Sequence, residues 1–130
     1  MKSIFLSAPV LCLAFLAILF LQSGLDKVLN YKGNKEWLTG HFANSPLKKI
    51  TGLMIPMITV LEVASGVCCA AGIYFFIFES SAQVGLIGAQ LSTLSILALF
   101  FGQRVAQDYA GAATLTTYFI ISIMTIYLLW

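Results

Sequence analysis

One stretch constrains this chain more than any other: residues 53–78, LMIPMITVLEVASGVCCAAGIYFFIF. It is almost wholly apolar and exceeds the roughly 20 residues that a helix needs to cross a bilayer at 1.5 Å rise per residue. Within it stands one ionisable residue, Glu62. A carboxylate in hydrocarbon costs on the order of 2.5–3.5 kcal/mol on the mildest insertion scale. Such a residue persists only if it faces the inside of a bundle, carries a proton or has a partner. The chemistry legible in this chain therefore centres on Glu62 and its surroundings.

Composition agrees with that reading. Of 130 residues, 60% are hydrophobic and 9% charged, against about 25% charged in a soluble domain. So few charges cannot cover a water-facing surface, and one membrane domain over residues 1–130 is expected. The net charge of +2, with no basic cluster interleaved with aromatics, gives no footing for a nucleic-acid partner. Cys12, Cys68 and Cys69 lie in apolar segments and form no C-x-x-C pair. Adjacent side chains on a helix diverge by about 100°, so Cys68 and Cys69 read as small packing residues rather than a thiol relay.

Four membrane helices are expected, over about 4–29, 51–78, 82–108 and 112–130, making an all-α four-helix bundle. The first begins like a secretory signal, with Lys2 before an apolar run, but that run is longer than a signal core and no A-x-A site follows. It reads as an uncleaved helix with Pro9 in its second turn. At its far end Gln22 and Asp26 share one face, and Ser23 and Lys27 another, each pair four residues apart. The connection 30–52 is the longest polar segment. Asn34 caps a short helix there that puts Trp37 and Phe42 in the membrane interface, and His41 lacks a second ligand, so no metal site is expected.

In the second helix Thr59, Glu62 and Gly66 share a stripe. Measured from Ile50, Glu62 lies about 18 Å along the axis, near the midplane of a 30 Å core. Gln90, measured about 21 Å from Arg104 in the third helix, falls at a matching depth. A carboxamide and a protonated carboxyl can satisfy each other, so the two are expected to face one another or to share a bound group; Gln90 bonded to backbone is the alternative. Gly24, Gly66, Gly85 and Gly88 supply surfaces for close helix packing. Gln103 and Gln107, and Arg104 and Asp108, are spaced four apart, which predicts that the third helix continues past the membrane surface until Gly111 allows a break. Tyr127 and Trp130 fall where an aromatic belt sits.

Collected by depth, Asp26, Lys27, Arg104, Gln107 and Asp108 ring one boundary, with Gln22, Thr59 and Tyr118 deeper and Glu62 and Gln90 deepest. A polar funnel of this kind serves proton relays, quinone headgroups or small solutes; the same layout arises when polar residues act as interhelical glue, worth roughly 0.6 kcal/mol each. Lys27, Lys32, Lys35, Lys48, Lys49 and Arg104 lie on one side and Lys2 on the other. The positive-inside rule then places the long connections in the cytoplasm and both termini outside.

The run Leu21-Gln22-Ser23-Gly24-Leu25-Asp26-Lys27 resembles the S-G-x-x-K signature of the DoxX-like membrane proteins. Pro56, then Leu61-Glu62-Val63 and Gly66, with Gly72 further on, resembles that family's second-helix E-x-x-x-G motif. GQRVAQDYAGAAT is similar to the segment common in bacterial DoxX and MauE-like members. The resemblance covers nearly the whole chain. It implies a four-helix bundle of the bacterial inner membrane, with relatives that include the small subunit of a thiosulfate:quinone oxidoreductase and membrane partners of redox-defence complexes. Carried onto matching positions it points to Gly24, Lys27, Glu62 and Gly66. No catalytic cysteine pair, haem ligand set or metal ligand set accompanies it. The expected role is a small accessory or scaffolding subunit of a larger envelope complex, respiratory or redox-linked, with other membrane subunits as partners. It would bind no covalent cofactor and would contact quinone or lipid near Glu62. The alternatives are a quinone-reducing subunit, with Glu62 as proton donor, and a carrier for a small solute or lipid.

Overall fold

The computed structural model describes residues 4–29, 36, 40 and 51–130. Four α-helices carry the fold: α1 (Ala8–Leu29), α2 (Thr51–Phe78), α3 (Gln83–Val105) and α4 (Tyr109–Leu129). Each is long and apolar enough to cross a membrane. The short helix expected around Trp37, His41 and Phe42 lies outside the described residues.

Where each helix begins and ends follows from local chemistry, and in two places, the start of α1 and the break between α3 and α4, it differs from the expected bounds by more than a residue. A single 3-10 turn, Ile4–Leu6, precedes α1. The helix itself starts at Ala8, because the Ser7 carbonyl accepts the Leu11 N–H at 3.0 Å. Pro9 thus stands in the first turn, where its missing N–H would have had no helical acceptor. At the α2–α3 turn Ser80 takes a left-handed φ of 51°, and the Ser81 N–H reaches back to the Phe75 carbonyl at 3.0 Å. That closes a tight antiparallel hairpin.

The second difference is at the far end of α3. The expected continuation through Asp108 does not form; α3 stops at Val105. Gln107 adopts a φ of 63°, its N–H bonds to the Arg104 carbonyl at 3.1 Å, and the Asp108 N–H bonds to the Gln103 carbonyl at 2.8 Å. These two bonds form a Schellman stop with Gln107 in the position that glycine usually takes. Asp108 then caps α4 directly, its Oδ1 accepting the Gly111 N–H at 3.0 Å. The break therefore falls at 106–108, and Gly111 lies inside α4 rather than ahead of it.

The helices pack in chain order, α1 on α2, α2 on α3 and α3 on α4, with a lighter α1–α4 contact closing the bundle. Leu13, Leu16, Ala17 and Phe20 of α1, Cys69 of α2, Ile96 of α3 and Leu129 of α4 form the apolar core. Glycines set the spacing. A Cβ at Gly66 would lie 2.8 Å from the Leu21 backbone nitrogen, and one at Gly88 would lie 2.7 Å from that of Cys69. A Cβ on Gly72 would collide with the Gly85 backbone. The outward faces are apolar too: Ile18 is 67% exposed, Val60 69%, Leu94 56% and Ile120 61%. An envelope of exposed apolar side chains on every helix fits lipid as the surrounding medium.

Candidate functional site

The last turns of α1 and the segment 62–66 of α2 meet closely because glycine faces bulk in both directions. A Cβ at Gly24 would lie 2.6 Å from Val63 Cγ2, and Gly66 sits equally tight on Leu21. This approach brings Lys27 onto Glu62. Lys27 Nζ lies 3.2 Å from Glu62 Oε2 and donates to Ser23 Oγ at 3.0 Å. Ser23 is one turn before Lys27, so it holds the ammonium over α2 from its own helix.

The Glu62 side chain is almost wholly enclosed, at 1% exposure, and that of Lys27 retains 16%. Glu62 Oε1 is buried and has no hydrogen-bond partner among the described residues. An ammonium has three N–H donors, and two of those on Lys27 are engaged by Ser23 and Glu62. The pair thus keeps one donor and one acceptor for a guest: Nζ can give a hydrogen bond to a carbonyl oxygen, and Oε1 can take one from a hydroxyl.

Along the apolar stretch 53–78, Glu62 stands about 14 Å from the near end and about 24 Å from the far end by helical rise. The proposed facing of Glu62 and Gln90 is corrected: Glu62 is buried and Gln90 is exposed. The antiparallel register of α2 and α3 explains why. Gly72 meets Gly85, Cys69 meets Gly88 and Ser65 meets Ser95, so Glu62 falls level with the turn of α3 that follows Ser95. Gln90 is on the outer face of α3 and about 10 Å away along the axis.

Other residues of the expected funnel are dispersed. Gln22 and Asp26 are exposed on α1, on the face turned away from Lys27's partner. Tyr118 packs its ring against Phe15 at 6.1 Å between centroids. Arg104 is exposed, its guanidinium 4.6 Å from the centre of the Tyr109 ring. Thr59 is buried one turn before Glu62 on the same stripe. Of the interfacial aromatics, Trp130 is 84% exposed at the end of α4.

Sequence reasoning passed over a second polar feature, the buried seam between α2 and α3. Ser65 Oγ lies 3.1 Å from Ser95 Oγ, and Cys69 Sγ 3.5 Å from Ser92 Oγ. Ser65, Ser92 and Ser95 also bond to carbonyls one turn back on their own helices, at 2.7, 2.8 and 2.9 Å. A hydroxyl has one hydrogen, so in the Ser65–Ser95 pair two hydrogens serve three contacts. The signal was present as small polar residues spaced three or four apart, Glu62-Ser65-Cys69 and Ser92-Ser95. Among the described residues, no three His, Cys, Asp or Glu side chains gather as a metal site. The chain matches no protein-family model, no curated protein and no solved structure.

Proposed function

We propose that this chain is a multi-pass protein of the bacterial inner membrane, a small DoxX-like accessory subunit of a redox-linked envelope complex, and that its Lys27–Glu62 pair receives the polar headgroup of a quinone or a lipid. The observation that carries the reading is the buried Glu62 carboxylate with one oxygen on Lys27 and the other, Oε1, unpartnered among the described residues. A buried polar atom without a partner is rare and calls for a reason. A pair needed only to pin α1 to α2 gains nothing from leaving an acceptor unused. A guest hydroxyl accepts from Nζ and donates to Oε1 and so completes both open positions at once, whereas a carbonyl oxygen fills only the first; the hydroxyls of a reduced quinone and of a lipid headgroup are membrane-resident groups of that chemistry. Lys27 stands in the last turn of α1 with 16% of its side chain exposed, so a headgroup can reach the pair from that end of the helix while its tail remains in hydrocarbon. With so few charged residues the chain has little other chemistry of its own, which favours a subunit role.

The test is purification of the whole chain from its own membranes in mild detergent, with its bound quinone and lipid extracted and its companion proteins identified. Companions and a headgroup-bearing molecule are expected with the wild type. Glu62→Gln should keep the companions and lose the small molecule, because a carboxamide cannot accept hydrogen bonds at both ends. A wild-type preparation free of any companion defeats the subunit role. Equal small-molecule content in wild type, Glu62→Gln and Lys27→Met defeats the headgroup site.

A further inference from the structure

On the far side of the bundle from Lys27 and Glu62, α3 and α4 part to leave a cleft of about 270 Å³, walled by Leu97 and Phe100 on one helix and Leu115, Phe119 and Ile120 on the other. We propose that this cleft, with Arg104 at its end, is a binding site for one anionic phospholipid. Its acyl chain would lie between the helices and its phosphate on the guanidinium.

Three observations converge on that occupant. The cleft offers only apolar surface: the single hydroxyl in its wall, that of Thr116, is already donated to the Ala113 carbonyl at 2.6 Å. It also opens sideways, with Leu97 47% and Ile120 61% exposed, while Ile96 at 1% forms the floor. Finally, both walls end in the same contact. Arg104 stands four residues after Phe100 and seven after Leu97, and so continues the α3 wall about 6 Å beyond Phe100. Tyr109 stands seven residues before Thr116, on the α4 wall. The guanidinium rests 4.6 Å from the centre of the Tyr109 ring, which holds the cation beyond the Phe100 end of the cleft. A planar guanidinium presents a fork of N–H donors that matches phosphate oxygens. An acyl chain alone would need no cation, and a free phosphate would leave the cleft unfilled; only a molecule with both parts uses the whole site.

The proposal rests on the membrane-spanning reading above, and the experiment separates the two. The detergent-released chain is incubated with phosphatidylglycerol or with phosphatidylcholine of the same acyl chains, and retained lipid is counted by native mass spectrometry. Phosphatidylglycerol should be retained about five-fold better, the fold-change of one cation at an anionic surface. Arg104→Gln should erase that preference, and Ile120→Trp, which fills the cleft and leaves Arg104 in place, should lower retention of both lipids. Excess inorganic phosphate should not displace the lipid. Equal retention of the two lipids by the wild type overturns the site, as does a preference that survives Arg104→Gln or retention that is indifferent to Ile120→Trp. Displacement by phosphate would mark a free-anion site instead. Alkaline extraction of the native membranes provides the separating arm. A chain that stays in the membrane yet shows no lipid preference defeats the cleft alone, and a chain that washes out defeats both readings.

Discussion

Glu62 and Lys27 are 35 residues apart in the chain, and α1 and α2 hold them 3.2 Å apart. Breaking a buried pair by removing one partner costs about 3–5 kcal/mol, whereas replacing both with apolar groups of similar volume is near neutral. The two single replacements should not be equal. Lys27→Leu strands a carboxylate at 1% exposure, while Glu62→Leu strands an ammonium whose side chain already has 16% exposure and a flexible stem. We expect Lys27→Leu to be the more damaging, at about 3 kcal/mol or more, Glu62→Leu to cost less, and the double variant to recover most of the loss. Unfolding in mixed micelles followed by helical circular dichroism measures all three. A double variant no more stable than Lys27→Leu would mean that the ion pair is not what the single replacement removes. Sequence reading singled out both residues, since a carboxylate and an ammonium near apolar runs are conspicuous. It paired Glu62 with Gln90 because helical rise gives depth along an axis and says nothing of the direction in which a side chain leaves it.

At the scale of the elements, backbone approach and turn geometry decide the packing. Gly88 and Gly66 stand where a Cβ would meet backbone nitrogen at 2.7 and 2.8 Å, and backbone cannot swing aside as a side chain tip can. Gly88→Val should therefore destabilise the α2–α3 pair by about 1–3 kcal/mol, the usual cost of overpacking. The same unfolding assay reads this, and an unchanged midpoint would refute the close approach. The α3–α4 turn predicts the opposite sign. Gln107 holds a left-handed φ of 63°, which costs a residue with a Cβ roughly 1–2 kcal/mol. Gln107→Gly should raise stability by about 1 kcal/mol, and Asp108→Ala should lower it by about the same through loss of the Gly111 cap. The two pairs spaced four apart in 103–108 look helical on paper. The Schellman bonds won because α3 has to end there for α4 to return along it, and Asp108 serves both helices at once.

For the whole molecule, four apolar helices packed in antiparallel sequence predict that both termini lie on one face of a bilayer. Reporter tags before Ile4 and after Trp130 should respond alike to a membrane-impermeant reagent, and a tag in the 106–108 turn should respond oppositely. The excess of Lys and Arg in the connections predicts that the turn is the cytoplasmic side. Tags that label on opposite faces would mean that one helix does not cross. Composition and the length of the apolar runs determined the class of molecule, the number of helices and roughly where each lies, because burial of apolar surface and satisfaction of the backbone depend on local sequence alone. Those same terms marked Glu62 and Lys27 as costly residues in need of a reason. The tertiary structure alone decided which of the polar residues meet. That choice depends on the rotation and axial register of each helix against its neighbours, and these are fixed by a few glycine contacts between segments far apart in the chain: Gly24 on Val63, Gly66 on Leu21, Gly88 on Cys69.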